Sequence, residues 1–422
     1  MLPNMDRRTY VTLAGAAVTG GTAGCVVGGD GRSTDGDGAA GTTDPAGGDA
    51  DADAGADDRP DVTVERVAEG FSFPWGLAFA PSGSELLVTE RVGRLSVVRP
   101  DDGTTTPVEG TPEVFDGGQG GLLDVALHPA FPDDDRVYLT YSATDGGASA
   151  ADGPSATHLG SGRLDLDTAR IEGFEAIHVA EPFVESSGHF GSRVGFGPDG
   201  TLYVTVGDRQ FKDFGPDHVA QDTTNELGTT LRLNPDGSVP DDNPFLDDPD
   251  VRDAIYSYGH RNAQGLAVHP ETGEIWESEF GEQDGDEINV IEAGGNYGWP
   301  VADEGCTYGS GEPIGDAHDD REDVTAPAYS WECGSGGFPP SGATFHTGEA
   351  VPAWRGDLFV CGLASRALAR FAVDGRDVEL VSRLLTDRDW RIRAVAERPA
   401  TGALYVAVDD GDAPVVRLVP DS

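Results

Sequence analysis

The sequence predicts an all-β fold, a six-bladed β-propeller, on three observations. From Val62 onward one pattern recurs six times: an apolar strand, a turn built on Pro or Gly, and a second apolar strand. Apolar residues alternate within each run, which marks a strand buried on one face. No long heptad or helical run appears, while 60 Gly and 28 Pro supply the turns that many short strands need.

Before the repeats lie two segments of different character. Arg7 and Arg8 precede an apolar, small-residue stretch from Val11 to Ala23 that ends in Thr22-Ala23-Gly24-Cys25. Twin arginines before a modest apolar region resemble a signal for exporting folded proteins. Thr-Ala-Gly-Cys resembles a lipobox, so residues 1–25 are expected to be a lipoprotein-type signal with Cys25 as the lipidated residue. That lipid is the expected membrane contact, at the outer face of the cell membrane, because the apolar stretch is too short to span a bilayer. Residues 26–61 hold Gly, Ala, Asp, Thr and Ser with almost no large apolar group, and read as a disordered acidic tether.

The body, residues 62–422, carries the copies. They begin at Gly76, Gly121, Arg193, Gly265, Gly342 and Arg393, with turns at Pro81, Pro129, Pro198, Pro270, Gly348 and Pro399. Turns such as Pro198-Asp199-Gly200 supply the backbone angles that tight reversals require. One two-stranded unit cannot bury both faces, so units at this spacing stack, and radial stacking closes on itself. A solenoid is the rival arrangement, with shorter and more regular repeats. Thr63–Val67 and Val415–Val419 are expected to pair within one blade and close the ring.

Charge and cysteine narrow the partners. The net charge is −47; residues 1–25 contribute +1 and 26–61 contribute −8, so −40 belongs to the folded body. Lys212 is the single lysine. A dense carboxylate surface of this kind suits a halophilic setting, where salt screens self-repulsion, and it repels nucleic acid. Cys306, Cys333 and Cys361 remain in the body without a Cys-x-x-Cys, which excludes an attached c-type haem or a zinc ribbon. Outside the cell a Cys306–Cys333 disulfide is allowed.

Polar residues recur at one phase of the repeat. Gln119 lies ten residues before Pro129, His189 nine before Pro198, Arg261 nine before Pro270, and Arg391 eight before Pro399, with Arg393 two further on. In a propeller, loops at one phase meet at one end of one channel. Taken singly, His189 fits a hydrogen-bonded turn histidine, Gln119 a turn residue, and Arg391 and Arg393 strand arginines paired with acids. Asp208, closing the strand after His189, fits a turn aspartate or a partner for that imidazole. The shared phase argues for them together. The stretch from Ser257 to Pro300 adds Arg261-Asn262 and an acid-rich loop with Gly281, Asp286 and Glu287, a set that suits an anionic ligand and a hard cation.

At these residues a family resemblance appears. GGQGGLLDVALHPAF, HFGSRVGF with LYVTVGD, SYGHRNAQG, GDEIN with GGNYGWP, and RIRAV resemble the motifs of the soluble quinoprotein glucose dehydrogenase and aldose sugar dehydrogenase family. The match keeps motif order from about Gly70 to the C-terminus. It implies a six-bladed propeller that holds pyrroloquinoline quinone (PQQ) and calcium and oxidises the anomeric carbon of an aldose to a lactone. On this resemblance His189 is the general base, Asp208 its support, and Arg261 the cation beside the reduced quinone oxygen. Asn262 and Gln119 hydrogen-bond the cofactor, and Arg391 and Arg393 hold its carboxylates. The carbonyls of Gly281 and Glu282 bind the cofactor's calcium, Glu287 and the Tyr297 carbonyl a second calcium, and Trp331 stands near the sugar. Electrons leave to an unknown external acceptor.

Two departures stand out. The family's lysine after its Leu-Phe-Val strand falls here at Ala364 or Ser365, leaving open whether Arg366 substitutes, and the family's Gly-Pro is Gly281-Glu282. Two other readings compete: a metal-dependent, lactonase-like hydrolase on the same wheel, and a non-catalytic propeller that captures sugars or anions.

Overall fold

A computed structural model describes residues 62–145, 153–399 and 401–420. The expectations for Arg7, Arg8, Cys25 and the 26–61 tether lie outside them.

The described residues form six four-stranded antiparallel sheets. Their first strands are Pro74–Phe79, Leu122–Leu127, Val194–Phe196, Ala263–Val268, Pro340–Phe345 and Ile392–Glu397, which we number as blades one to six. These six neighbour one another in cyclic order, so the architecture is a six-bladed β-propeller. Val62–Phe71 becomes the outer strand of blade six, paired antiparallel with Ala413–Pro420. Thr63 faces Val419 and Glu65 faces Arg417, the closure the sequence led us to expect.

Apolar alternation drives the stacking. Leu87 and Leu95 of blade one pack on Leu122, Val137 and Leu139 of blade two. Trp276 and Ile288 of blade four pack on Phe345, Val360 and Phe371 of blade five. Tyr405 and Val415 of blade six pack on Leu86 and Val88 of blade one, which completes the circle. Each fully buried side chain of this size contributes about 1.5–3 kcal/mol, so the contacts between blades are a large part of what holds the wheel together.

Register shifts fall at the same place in five first strands: Pro74/Leu77, Leu122/Val125, Ala263/Gly265, Pro340/Ala343 and Ile392/Ala394. Such bulges re-aim side chains, and these bring Trp75, Asp124, Gln264, Ser341 and Arg393 to the axis around Arg193.

At this level of every blade the second strand offers a small side chain. Thr89 Oγ1 accepts from the Gly76 N–H (2.8 Å) and donates to the Leu123 carbonyl of the next blade. Thr140 accepts from Asp124 N–H and donates to the Ser192 carbonyl (2.6 Å). Thr205 accepts from Arg193 N–H and donates to the Ala263 carbonyl (2.9 Å). Ser278 donates to the Ser341 carbonyl (3.0 Å). Four buried hydroxyls thus staple blade to blade. In blades five and six the same place is taken by Cys361 and Ala407, which carry no hydroxyl.

Candidate active site

His189 sits on the loop before the first strand of blade three, buried and at φ 47°, a left-handed conformation unusual outside glycine. Its backbone is held from blade two, where its N–H donates to Gln119 Oε1 (2.8 Å). Its ring is held from its own blade: Nδ1 lies 2.7 Å from Asp208 Oδ1. An ionised carboxylate at Nδ1 fixes the proton there and leaves Nε2 as the acceptor.

Asp208 is a junction. Its N–H donates to the Arg261 carbonyl (2.8 Å), and its Oδ2 accepts from Trp299 Nε1 (2.9 Å). Burial works to raise the Asp208 carboxyl, but His189 and Arg261 outweigh it and hold it below the usual range. Burial, then the Arg261 charge, push His189 down, and Asp208 pulls it back only in part. The imidazole is therefore neutral and able to accept a proton at neutral pH.

Arg261 and Asn262 come from blade four. Asn262 Oδ1 accepts from Gly191 N–H (3.0 Å), two residues after His189, which leaves the amide NH2 as the end that can donate to a ligand. The Arg261 guanidinium lies over the Trp299 ring at 5.2 Å and bonds Glu282 Oε2 at 2.6 Å. Glu282 also takes Lys212 Nζ at 2.6 Å. The chain's single lysine thus reaches the site from the loop after Asp208.

Blade six supplies the other guanidinium groups. Arg393 donates to Gln264 Oε1 (2.6 Å) and Asp409 Oδ2 (2.9 Å), and the partly exposed Arg391 lies 3.5 Å from the same oxygen. Burial works to raise Asp409, but Arg393 and Arg391 keep it low and ionised. Arg261 Nε, Arg393 Nε and Asp409 Oδ1 are buried with no hydrogen-bond partner among the described residues. Buried donors of this kind on two guanidinium groups suit an anionic ligand.

Two neighbouring places suit a hard cation. Gly281 and Glu282 lie on a turn fixed by Asp286, whose oxygens accept from Gly281 N–H (3.0 Å) and Phe338 N–H (2.6 Å). Asp286 is spent on holding this turn, so backbone carbonyls are what it presents. Beside it a cavity is lined by Arg261, Glu279, Glu287, Tyr297, Trp299 and Asp303. Burial raises the Glu287 and Asp303 carboxyls well above the usual range, with Glu279 and Glu287 adding like-charge repulsion. Asn289 Nδ2 bridges Glu279 and Glu287, and His318 Nε2 lies 3.2 Å from the Tyr297 carbonyl and 3.9 Å from Glu287. Carboxylates gathered around one buried cavity suit a cation.

Gln119, His189, Asp208, Arg261 and Asn262 therefore form one bonded network. The structure does not bring Trp331 to that group. It is buried in the apolar core of blades four and five, stacked on Phe338 at 5.0 Å. The indole at the site is Trp299, which the sequence offered inside GGNYGWP but with nothing to separate it from its neighbours. Arg366 does not stand in for the family's lysine either: it is exposed and paired with Asp389. Cys306 and Cys333 form the disulfide that export would allow.

The chain matches the family model described as Glucose / Sorbosone dehydrogenase over residues 71–417. It is 35% identical over 360 residues to the aldose sugar dehydrogenase YliI of Escherichia coli (strain K12), covering 85% of this chain and 93% of that one. Among solved structures it resembles a crystal structure of glucose dehydrogenase, with TM-score 0.77, 40% identity, and 85% and 100% of the two chains covered. It also resembles the PQQ-bound form of aldose sugar dehydrogenase from Streptomyces coelicolor, with TM-score 0.68, 27% identity, and 86% and 99% covered.

Proposed function

We infer the reaction from one premise: this chain belongs to the glucose/sorbosone dehydrogenase family. We propose that it oxidises an aldose at the anomeric carbon to the lactone, with PQQ and calcium as cofactors and an external electron acceptor. The observation that carries this reading is the buried His189–Asp208 pair beside Arg261.

The residues fit the cofactors. Arg391 and Arg393 would hold carboxylates, for which planar guanidinium forks are suited, and the unpartnered Arg393 Nε marks the place. Gln119, Asn262 and Arg261 would contact the ring system, the carbonyls of Gly281 and Glu282 a calcium ion, and Glu287 with the Tyr297 carbonyl a second one. When bound, the quinone supplies a two-electron hydride acceptor that protein side chains lack.

What the chain's own groups do follows from their placement. His189 Nε2 accepts the proton of the anomeric hydroxyl, a contribution of roughly 10²–10⁴-fold. Asp208 keeps the ring in the required tautomer and offsets the imidazolium charge that forms. Arg261 adds a fixed positive charge where negative charge develops, worth most in a site that excludes water. Trp299 covers the far side of both by its bond to Asp208 and its contact with Arg261. We place the enzyme outside the cytoplasm, anchored through Cys25, its acidic surface suited to high salt.

The test is direct. Apoprotein in high salt, given PQQ and calcium, reduces an artificial dye when an aldose is added. Titration that detects no PQQ uptake rejects the reading.

A further inference from the structure

One guanidinium completes the ring of bonds that the buried hydroxyls leave open. Arg193 lies on the axis, stacked on Trp75 at 4.0 Å. Its Nε donates to the Gln264 carbonyl. Nη1 donates to the Trp75 carbonyl (3.4 Å) and Asp124 Oδ1 (3.2 Å). Nη2 donates to the Arg393 carbonyl (3.0 Å) and Ser341 Oγ (3.4 Å). Five acceptors from five other blades meet five N–H groups, the full capacity of an arginine.

The choice of carbonyls is informative. Hydroxyls from blades one to four bond inner-strand carbonyls of the blades that follow them. Cys361 of blade five and Ala407 of blade six have none to offer, and the carbonyls of the blades that follow, at Arg393 and Trp75, are the ones Arg193 takes. The Gln264 carbonyl, its third, belongs to the residue whose amide oxygen holds Arg393 Nη1.

We propose that Arg193 is the positioning residue for the anion-binding end of the site. It fixes the main chain of both partners in the Arg393–Gln264 pair. Lysine keeps the charge but cannot reach acceptors on several blades from one flat fork. The proposal rests on the reading of Arg393 as a cofactor-carboxylate ligand.

The experiment is a double-mutant cycle on apoprotein, read by PQQ titration, with Arg193→Lys and Arg393→Met made singly and together. Arg193→Lys is expected to weaken PQQ binding about tenfold, and to weaken it less than about twofold once Arg393 is already Met, because coupled groups are non-additive. A purely structural arginine gives the same loss in both backgrounds, and that result overturns the proposal. If Arg193→Lys does not fold, Arg193→Gln takes its place in the same cycle, and an equal loss in both Arg393 backgrounds again overturns the proposal. A parent chain that takes up no PQQ overturns the functional reading, and this proposal with it.

Discussion

His189 and Asp208 are bonded at 2.7 Å, and both are held in place by groups from other blades: Gln119 on the histidine backbone, Trp299 on the aspartate's second oxygen. The pair is therefore positioned by the wheel, and its chemistry should depend on the aspartate being an acceptor. Asp208→Asn presents an amide that can donate to Nδ1 and move the ring proton to Nε2. We expect kcat to fall about 10²–10⁴-fold with PQQ affinity within threefold of the parent, checked by steady-state rates alongside cofactor titration.

The Arg261 charge should be visible in the pH profile. It lowers the His189 pKa, so the neutral base persists below the ordinary imidazole range. Arg261→Met removes that push. The acidic limb of the rate profile, and the His189 titration followed by NMR in apoprotein, should both move to higher pH. A limb that stays put removes Arg261 from the base's electrostatics.

Glu282 gives a stability signature of opposite sign. Burial works to raise its carboxyl, but Arg261 and Lys212 hold it below the usual value. A depressed carboxyl contributes stability that is present above its unfolded pKa, near 4.3, and is lost as pH falls through the folded value. Denaturant midpoints of parent and Glu282→Gln should differ by a constant amount above about pH 5.5 and draw together as pH falls through the lowered folded value.

The hydroxyl staples should be costly to remove. Thr205→Val keeps the shape but strands the Arg193 N–H and the Ala263 carbonyl inside the wheel. Each buried orphan costs about 1–3 kcal/mol, so we expect roughly 2–6 kcal/mol in urea unfolding. An effect under about 0.5 kcal/mol would show that the ring bonds are dispensable.

Calcium removal should act on stability as well as on turnover. Glu279, Glu287 and Asp303 share one cavity. Chelation should lower the melting temperature of apoprotein, and added calcium should restore it; in Glu287→Gln the chelator should have a smaller effect. Differential scanning fluorimetry with and without the ion decides this.

The fold was legible because its period is coarse: six runs of alternating apolar residues, each with its turn, leave few ways to bury their faces. The ring closure was legible for the same reason, since Thr63–Val67 and Val415–Val419 are half-units in need of partners. The His189–Asp208–Arg261 group was readable from phase and motif together. Trp331 and Trp299 show where this stops. Both are tryptophans close to a strand or turn, and only three-dimensional packing decides that one stacks on Phe338 and the other on Arg261. Lys212 was conspicuous by composition, yet nothing local linked it to Glu282, 70 residues away. Arg193 was visible only as the start of a repeat; its reach to five other blades exists only once the wheel has closed.

The pairing of Val62 with Pro420 brings the two ends of the folded body to one seam. Topologically, then, no blade comes first. Joining those ends with a short linker and opening the chain at the Pro198-Asp199-Gly200 turn inside blade three should give a rearranged gene product with the same wheel and the same site. For a maker of sensors, that turns the Pro and Gly turns inside the blades, which carry none of the site residues, into places for inserting a reporter domain.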